Sequence, residues 1–182
     1  LIRQWVSAVY RFAVATLRAD SDPAGSLQGA IERNRTKHAK ALSKDEMKRL
    51  LHALHTYGGD PATMCGLELI LLTFVRTIEL RAARWEEIDF KKAEWRIPAD
   101  RMKMREVHIV PLSRQAMAVL KSLWAINGHR EFLFPNRRDY KRYITATTLN
   151  RALERMGFLG EGSIGFSAHG FRATASTMLN EA

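Results

Sequence analysis

The stretch Ser167-Ala-His169-Gly-Phe-Arg172 holds a histidine and an arginine three residues apart at the start of an apolar-periodic run. In a helix that spacing puts both on one face, while Phe171, Ala175, Met178 and Leu179 form the opposite, buried face. The two polar side chains then project from a packed helix towards a common point. Arg76 follows a strongly apolar helical stretch and precedes Ile78-Glu79-Leu80, which places it near a helix N-terminus. Free backbone N–H groups and the helix dipole collect anions there, and a planar guanidinium fork matches two phosphate oxygens. Lys103, in Arg101-Met-Lys-Met-Arg105, falls between two strand-like segments, where a basic side chain can be carried into a groove or against a phosphate. Each also has an ordinary explanation. Arg76 and Glu79 can form a surface pair, hairpin tips often carry solvated lysine, and with six histidines one HxxR spacing is nearly expected by chance.

Other chemistry-bearing residues do not assemble into a pattern. His52 and His55 share a helix face, but no HExxH pattern or carboxylate at ligand spacing accompanies them, so a solvated face explains them better than a metal site. Cys65 is the single cysteine; beside Met64 and Leu67 it reads as a small buried hydrophobe rather than a nucleophile. One cysteine leaves no disulfide framework and no Cys-based zinc site, and fits a reducing, intracellular setting. The GxxxxGK[ST] loop of an ATPase is absent. No metal and no cofactor is expected.

The elements that must position these residues follow from periodicity. Ile2, Val6, Val9, Tyr10, Ala13 and Leu17 recur at helical spacing, and the run from Ala19 to Ser26 breaks that helix. Ser43-Lys-Asp-Glu46 fits a capping box ahead of Met47, Leu50, Leu51 and Leu54. Asp60-Pro61 starts a second helix whose body, Leu67 to Phe74, is apolar nearly all round and belongs in a core. The period then changes: Trp85 to Phe90, Glu94 to Ile97 and Val107 to Leu112 read as three short strands of an antiparallel sheet. Ser113 caps a helix ended by Asn127-Gly128, another helix covers Thr147 to Met156, and a last one begins near Ser167. The expected fold is mainly α with a small three-stranded antiparallel β-sheet.

Composition bounds the partner. The chain has 182 residues, 46% of them hydrophobic, enough to bury a core, and 29 Lys+Arg against 19 Asp+Glu give a net charge of +10. A surplus of that size favours nucleic acid first and an acidic membrane surface second. The basic residues are not gathered opposite one apolar helix face, so the membrane reading is the weaker. The longest apolar stretch, Leu67 to Val75, is too short to span a bilayer, and the first residues lack a signal-peptide pattern. Basic residues crowd two places: Arg33 to Arg49, which includes Arg35, Lys37 and Lys40, and Arg137-Arg138 with Lys141-Arg142.

The order of these features resembles the catalytic domain of the tyrosine recombinases (phage integrases), in particular the integrases of prophages and genomic islands. Thr73-Phe-Val-Arg76-Thr-Ile-Glu79-Leu80 is similar to the family's first-arginine motif, although many members have glycine where Phe74 stands. Trp85-Glu-Glu-Ile-Asp89 resembles the strand that follows it. Met102-Lys103-Met104…His108-Ile-Val-Pro111 resembles the lysine hairpin, and His169-Gly-Phe-Arg172-Ala-Thr-Ala-Ser the HxxR box. Arg11-Phe-Ala-Val-Ala…Asp22-Pro23 is similar to the last helix of the preceding core-binding domain. The implied organisation is the end of a core-binding domain over 1–30, a basic linker over 31–42, and a catalytic domain from 43 to 182.

What the resemblance implies is site-specific DNA recombination for integration or excision of a mobile element. A tyrosine oxygen attacks a phosphodiester to give a 3′-phosphotyrosine, without ATP or metal. Arg76 and Arg172 would clamp the non-bridging oxygens. Lys103 would be the general acid for the leaving 5′-oxygen, His169 would help move the nucleophile's proton, and Glu79 would orient the arginine. Arg35, Lys37, Lys40, Arg101, Arg105, Arg137, Arg138, Lys141 and Arg142 would hold the DNA backbone. Duplex DNA at attachment sites, further protomers and accessory DNA-bending proteins are the implied partners, in a bacterial cytoplasm at the nucleoid. The family's nucleophilic tyrosine lies a few tens of residues beyond HxxR. Tyr10, Tyr57, Tyr140 and Tyr143 all precede it, so this chain is expected to be a C-terminally shortened piece that binds DNA without cutting it. The competing class is a non-catalytic DNA-binding module, which explains the charge but not the ordered Arg, Lys, HxxR set; the aromatic strands of an RNA module are missing.

Overall fold

The structure, a computed structural model, describes residues 2–27, 29–30, 39–102 and 105–180. The chain divides into two compact units, Leu1–His38 and Ala39–Ala182. In the first, α1 (Ile2–Ala15) is amphipathic as its spacing requires, yet it buries none of its residues, and Trp5, Val9 and Phe12 stand exposed. Leu17, in the left-handed region at φ 57°, turns the chain out of the helix. Asp22 then accepts from the Ser7 hydroxyl at 2.5 Å and the Ala24 amide at 2.9 Å. Those bonds, the hydroxyl's first, hold its carboxyl below the usual carboxylate range.

In the second unit, α2 (Lys44–Thr56) begins with the expected capping box: the Glu46 amide donates to Ser43 Oγ at 3.3 Å and the Ser43 amide to Glu46 Oε2 at 2.7 Å. Asp60 caps α3 (Pro61–Thr73), whose Leu67, Leu69 and Ile70 are buried outright. This apolar helix is the hub, packed by α2, by α5 (Arg114–Asn127) and by α6 (Thr147–Arg155). The short α4 (Thr77–Arg81) follows α3 after a sharp turn, and α7 (Gly170–Asn180) closes the unit.

The sheet is antiparallel, ordered β1 (Ile88–Asp89), β2 (Glu94–Ile97), β3 (His108–Pro111), with Trp95 opposite both Ile88 and Val110. Its first strand is shorter than the spacing predicts. Trp85–Glu87 forms a 3-10 turn, because Glu87 and Ile88 are both buried and consecutive strand residues would point to opposite faces. Trp85 instead donates its indole N–H to the Asn127 carbonyl at 3.0 Å and packs edge-on against Trp124 at 4.8 Å. Val107 and Leu112 fall outside the third strand. The last helix starts at Gly170 rather than Ser167, since Ser167 to Gly170 is a turn closed by the Gly170 amide on the Ser167 carbonyl.

The segment expected as the end of the linker belongs to the second unit. Leu42 is buried, and its amide donates to Thr174 Oγ1 on α7 at 2.9 Å. No helix among the described residues is long and apolar enough to cross a membrane.

Ser43→Ala is expected to lower the unfolding free energy by about 1 kcal/mol, read from the urea midpoint at unchanged slope. The bond from the Ser43 amide holds the Glu46 carboxyl below its ordinary 4.5. A depressed folded pKa means stabilisation present above 4.5 and lost as pH falls through the folded value. The stability difference between the parent and Glu46→Ala should therefore shrink on acidification below that point.

Candidate phosphate-binding active site

Arg76 is the N-cap of α4, extended at φ −67° and ψ 148°. Its backbone N–H donates to Glu79 Oε2 at 2.7 Å and its Nη1 to Glu79 Oε1 at 2.6 Å. The anticipated Arg76–Glu79 pair exists, but it is not a surface pair. Glu79 is 3% exposed, whereas the Arg76 side chain is 41% exposed. One carboxylate thus sets both the backbone and the side chain of Arg76 and leaves the remaining guanidinium donors facing outward.

α3 reaches this point through Phe74, its C-cap, which adopts the left-handed conformation at φ 51°, ψ 23°. That region suits glycine, so the resemblance to a motif with glycine at this position has a backbone reason. The Phe74 carbonyl accepts Arg172 Nη1 at 2.8 Å, across 98 residues of sequence. Arg172 is therefore tied to the turn whose next helix carries Arg76. His169 and Arg172 are both exposed at the start of α7; of the face expected to be buried, Phe171 and Ala175 are, with Thr174 beside them, but Met178 is only half-buried and Leu179 is exposed, because the last turn of the helix runs past the core.

Contacts that the sequence does not announce hold α7 in place. A Cβ on Gly170 would lie 2.5 Å from the Lys40 carbonyl oxygen and 2.6 Å from the Phe166 ring, so only glycine admits this approach. Thr174, 1% exposed, donates to the Gly170 carbonyl at 2.9 Å and accepts the Leu42 amide at 2.9 Å. Asn150 of α6 accepts the Ala168 amide at 2.9 Å, next to His169.

The remaining basic residues divide by use. Lys103 lies outside the described residues, as do Arg35 and Lys37. Arg105 is exposed. Lys40 pairs with Glu46 at 3.5 Å. Arg137, Arg138, Lys141 and Arg142 all stand exposed in a loop closed by pairing of Pro135 with Tyr143, Arg137 salt-bridged to Asp60 and Arg142 to Asp139 at 3.3 Å. Arg101 is placed differently from a DNA-facing residue: its side chain is 19% exposed and bonds Glu87 Oε2 at 2.5 Å and the Ala82 carbonyl. No cluster of metal-ligating groups occurs among the described residues. Burial, with Glu68 nearby, pushes the Cys65 thiol up to about 11, which makes it unreactive at neutral pH.

With the helix-and-hairpin frame and the Arg76–Glu79–Arg172 constellation in view, the class is defined. The chain belongs to the phage integrase family, whose model matches residues 40–182. It is 41% identical to the integrase of Enterobacteria phage P4, over 99% of this chain and 43% of that protein. It is 38% identical to the prophage integrase IntA of Escherichia coli (strain K12), over 98% of this chain and 42% of that protein. The chain thus spans less than half the length of these relatives. In fold it is similar to the Tn1549 transposon integrase in complex with a circular intermediate DNA, with a TM-score of 0.76 at 14% identity, covering 98% of this chain and 65% of that one. A lambda integrase dimer bound to a COC′ core site gives a TM-score of 0.71 at 18% identity, covering 99% and 51%. The fold expected from the resemblance, that of a tyrosine recombinase catalytic domain, is the one observed.

Gly170→Ala should destabilise the unit by about 1–3 kcal/mol, because the added methyl group meets a backbone carbonyl rather than a side chain that can swing away. Denaturant unfolding measures it. A neutral outcome would mean that the Lys40 segment does not lie against α7.

Proposed function

We propose that this chain is the DNA-binding and phosphate-holding part of a tyrosine site-specific recombinase, acting on duplex DNA at attachment sites. The observation that carries this reading is the bond from Arg172 to the Phe74 carbonyl. It joins the HxxR helix to the turn carrying Arg76, itself fixed by buried Glu79. Two outward guanidinium groups anchored from one side are suited to the non-bridging oxygens of a scissile phosphate, where preorganised charge lowers the barrier to a pentacoordinate transition state.

In this reading Arg76 and Arg172 clamp the phosphate and Glu79 orients Arg76. Lys103 protonates the leaving 5′-oxygen and His169 moves the nucleophile's proton. Arg105, Arg138 and Lys141, with Arg35, Lys37, Lys40, Arg137 and Arg142, hold backbone phosphates and give affinity more than sequence choice. Arg101 is left out of that set, since its guanidinium is engaged within the protein. That the similar Tn1549 and lambda integrases are held on DNA supports duplex DNA as the partner. By itself the chain binds without cleaving. In support, Tyr140 lies beneath the Arg130 guanidinium at 3.9 Å and Tyr143 packs edge-on to Phe132 at 5.7 Å. Assembly of protomers and accessory bending proteins belong to the whole recombinase.

The test is binding of fluorescent attachment-site duplex over a range of salt concentrations. Affinity should fall steeply with salt. Arg76→Ala and Arg172→Ala should each cost roughly 1.5–3 kcal/mol and lower the log–log salt slope by about 0.9. Denaturing gels should show no covalent protein–DNA adduct; one mapping to Tyr140 or Tyr143 would overturn the non-cleaving part of the proposal.

A further inference from the structure

We propose that Glu87 is a positioning residue for the β2–β3 connection, acting through Arg101 to set the segment that carries Lys103. The inference rests on the recombinase reading, in which Lys103 must meet the phosphate held by Arg76 and Arg172.

Glu87 is 6% exposed, in a core of Trp85, Ile88 and Trp95. A carboxylate there costs several kcal/mol unless it is paired. Its Oε2 takes two donors, Trp95 Nε1 at 2.9 Å and Arg101 Nη2 at 2.5 Å, while Oε1 is buried with no partner among the described residues. Burial pushes the carboxyl above its ordinary 4.5 against the opposing pull of Trp95 and Arg101. Arg101 Nε is likewise buried and unpartnered. Such an incompletely satisfied pair adds little to stability; its effect is to fix where Arg101 sits.

Arg101 sits two residues before Lys103. The connection between Ile97 and His108, partners in the sheet register, is far longer than an ordinary hairpin turn. Its first part is a 3-10 turn, Ala99–Arg101, followed by the Met102 amide bonding the Ala99 carbonyl at 3.1 Å. On the far side the Arg105 amide bonds the Met102 carbonyl at 3.0 Å. Beside these local turns, two groups among the described residues tie the connection to the body of the protein: Met102, which packs against the core, and the Arg101 guanidinium, which makes the polar tie. Its Nη1 bonds the carbonyl of Ala82, the C-cap of α4, the same short helix that begins at Arg76 and contains Glu79. Arg101 and Glu79 also line one cleft of about 230 Å³. The clamp therefore references the lysine-bearing connection to the helix that holds the phosphate-binding arginine.

The test uses the chain as it stands, with Glu87→Leu, Arg101→Leu, the double variant and Glu87→Gln. Amide hydrogen exchange of Met102 and residues 105–107 should quicken about tenfold in each leucine variant and no further in the double, with α3 and α5 amides unchanged. Glu87→Gln, which keeps an acceptor, should restore most of the protection. In parallel, an amine-selective ester should label Lys103 less when duplex DNA is bound, and this shielding should be lost in Glu87→Leu. Unchanged exchange at 102 and 105–107, or equal loss across α3 and α5, sinks the proposal. If Glu87→Leu fails to fold, Arg101→Met, whose stem keeps its packing, gives the same readout. Absence of shielding in the parent chain would instead overturn the placing of Lys103 at the DNA, while the exchange data still decide the clamp.

Discussion

Glu79 lies almost wholly out of water with both carboxylate oxygens bonded to a single residue, the Arg76 amide and the Arg76 guanidinium. Ionised and buried, it can persist only with charge-assisted partners, and Arg76 supplies both. The consequence runs outward. A long, flexible side chain loses its freedom during folding, so the entropy of ordering it would not weigh against the phosphate binding proposed for it. The rigid apolar α3 behind it and the left-handed Phe74 between them fix the direction in which α4 leaves. The direction of Arg76 is thus inherited from the core.

The second arginine is placed by different means. Among the described residues, nothing buried and charged holds Arg172; the helix that bears it is positioned through backbone contacts. Gly170 allows the Lys40 carbonyl against α7, Thr174 bridges the Leu42 amide to the Gly170 carbonyl, and Asn150 holds the Ala168 amide. The guanidinium then spends one donor on the Phe74 carbonyl. That leaves its other donors uncommitted to Phe74 while joining two segments distant in sequence.

Periodicity made the helices, the capping box at Ser43 and the polar face of His169 and Arg172 legible, since each depends on residues a few positions apart. The pairing of Arg76 with Glu79 was legible for the same reason, though its burial was not. The acceptor of Arg172 could not be read, because a backbone carbonyl has no side-chain signature and lies 98 residues away. The first strand starts later than its composition suggests because aromatic content around Trp85 mimics a strand, while two consecutive buried residues, Glu87 and Ile88, demand a turn. In the sequence Arg101 is one more cation in a basic hairpin; only the buried carboxylate it meets in the fold sets it apart.

That last case bears on how the net charge of +10 is to be understood. Arginine is used here as a structural fastener. Arg81 donates to the Ile144 carbonyl and lies over the Tyr143 ring at 5.6 Å, while Arg84 pairs with Glu131 at 2.8 Å and lies over Phe132 at 5.3 Å. A planar, weakly hydrated cation can pack on an aromatic face and still bond a carbonyl, which lysine does poorly. A sum over the sequence counts these groups with Arg138 and Lys141, which stand in solvent. The sum favours an anionic partner because net charge survives at long range. It cannot locate the contact, because at close range what matters is which guanidinium groups the folded protein has already spent.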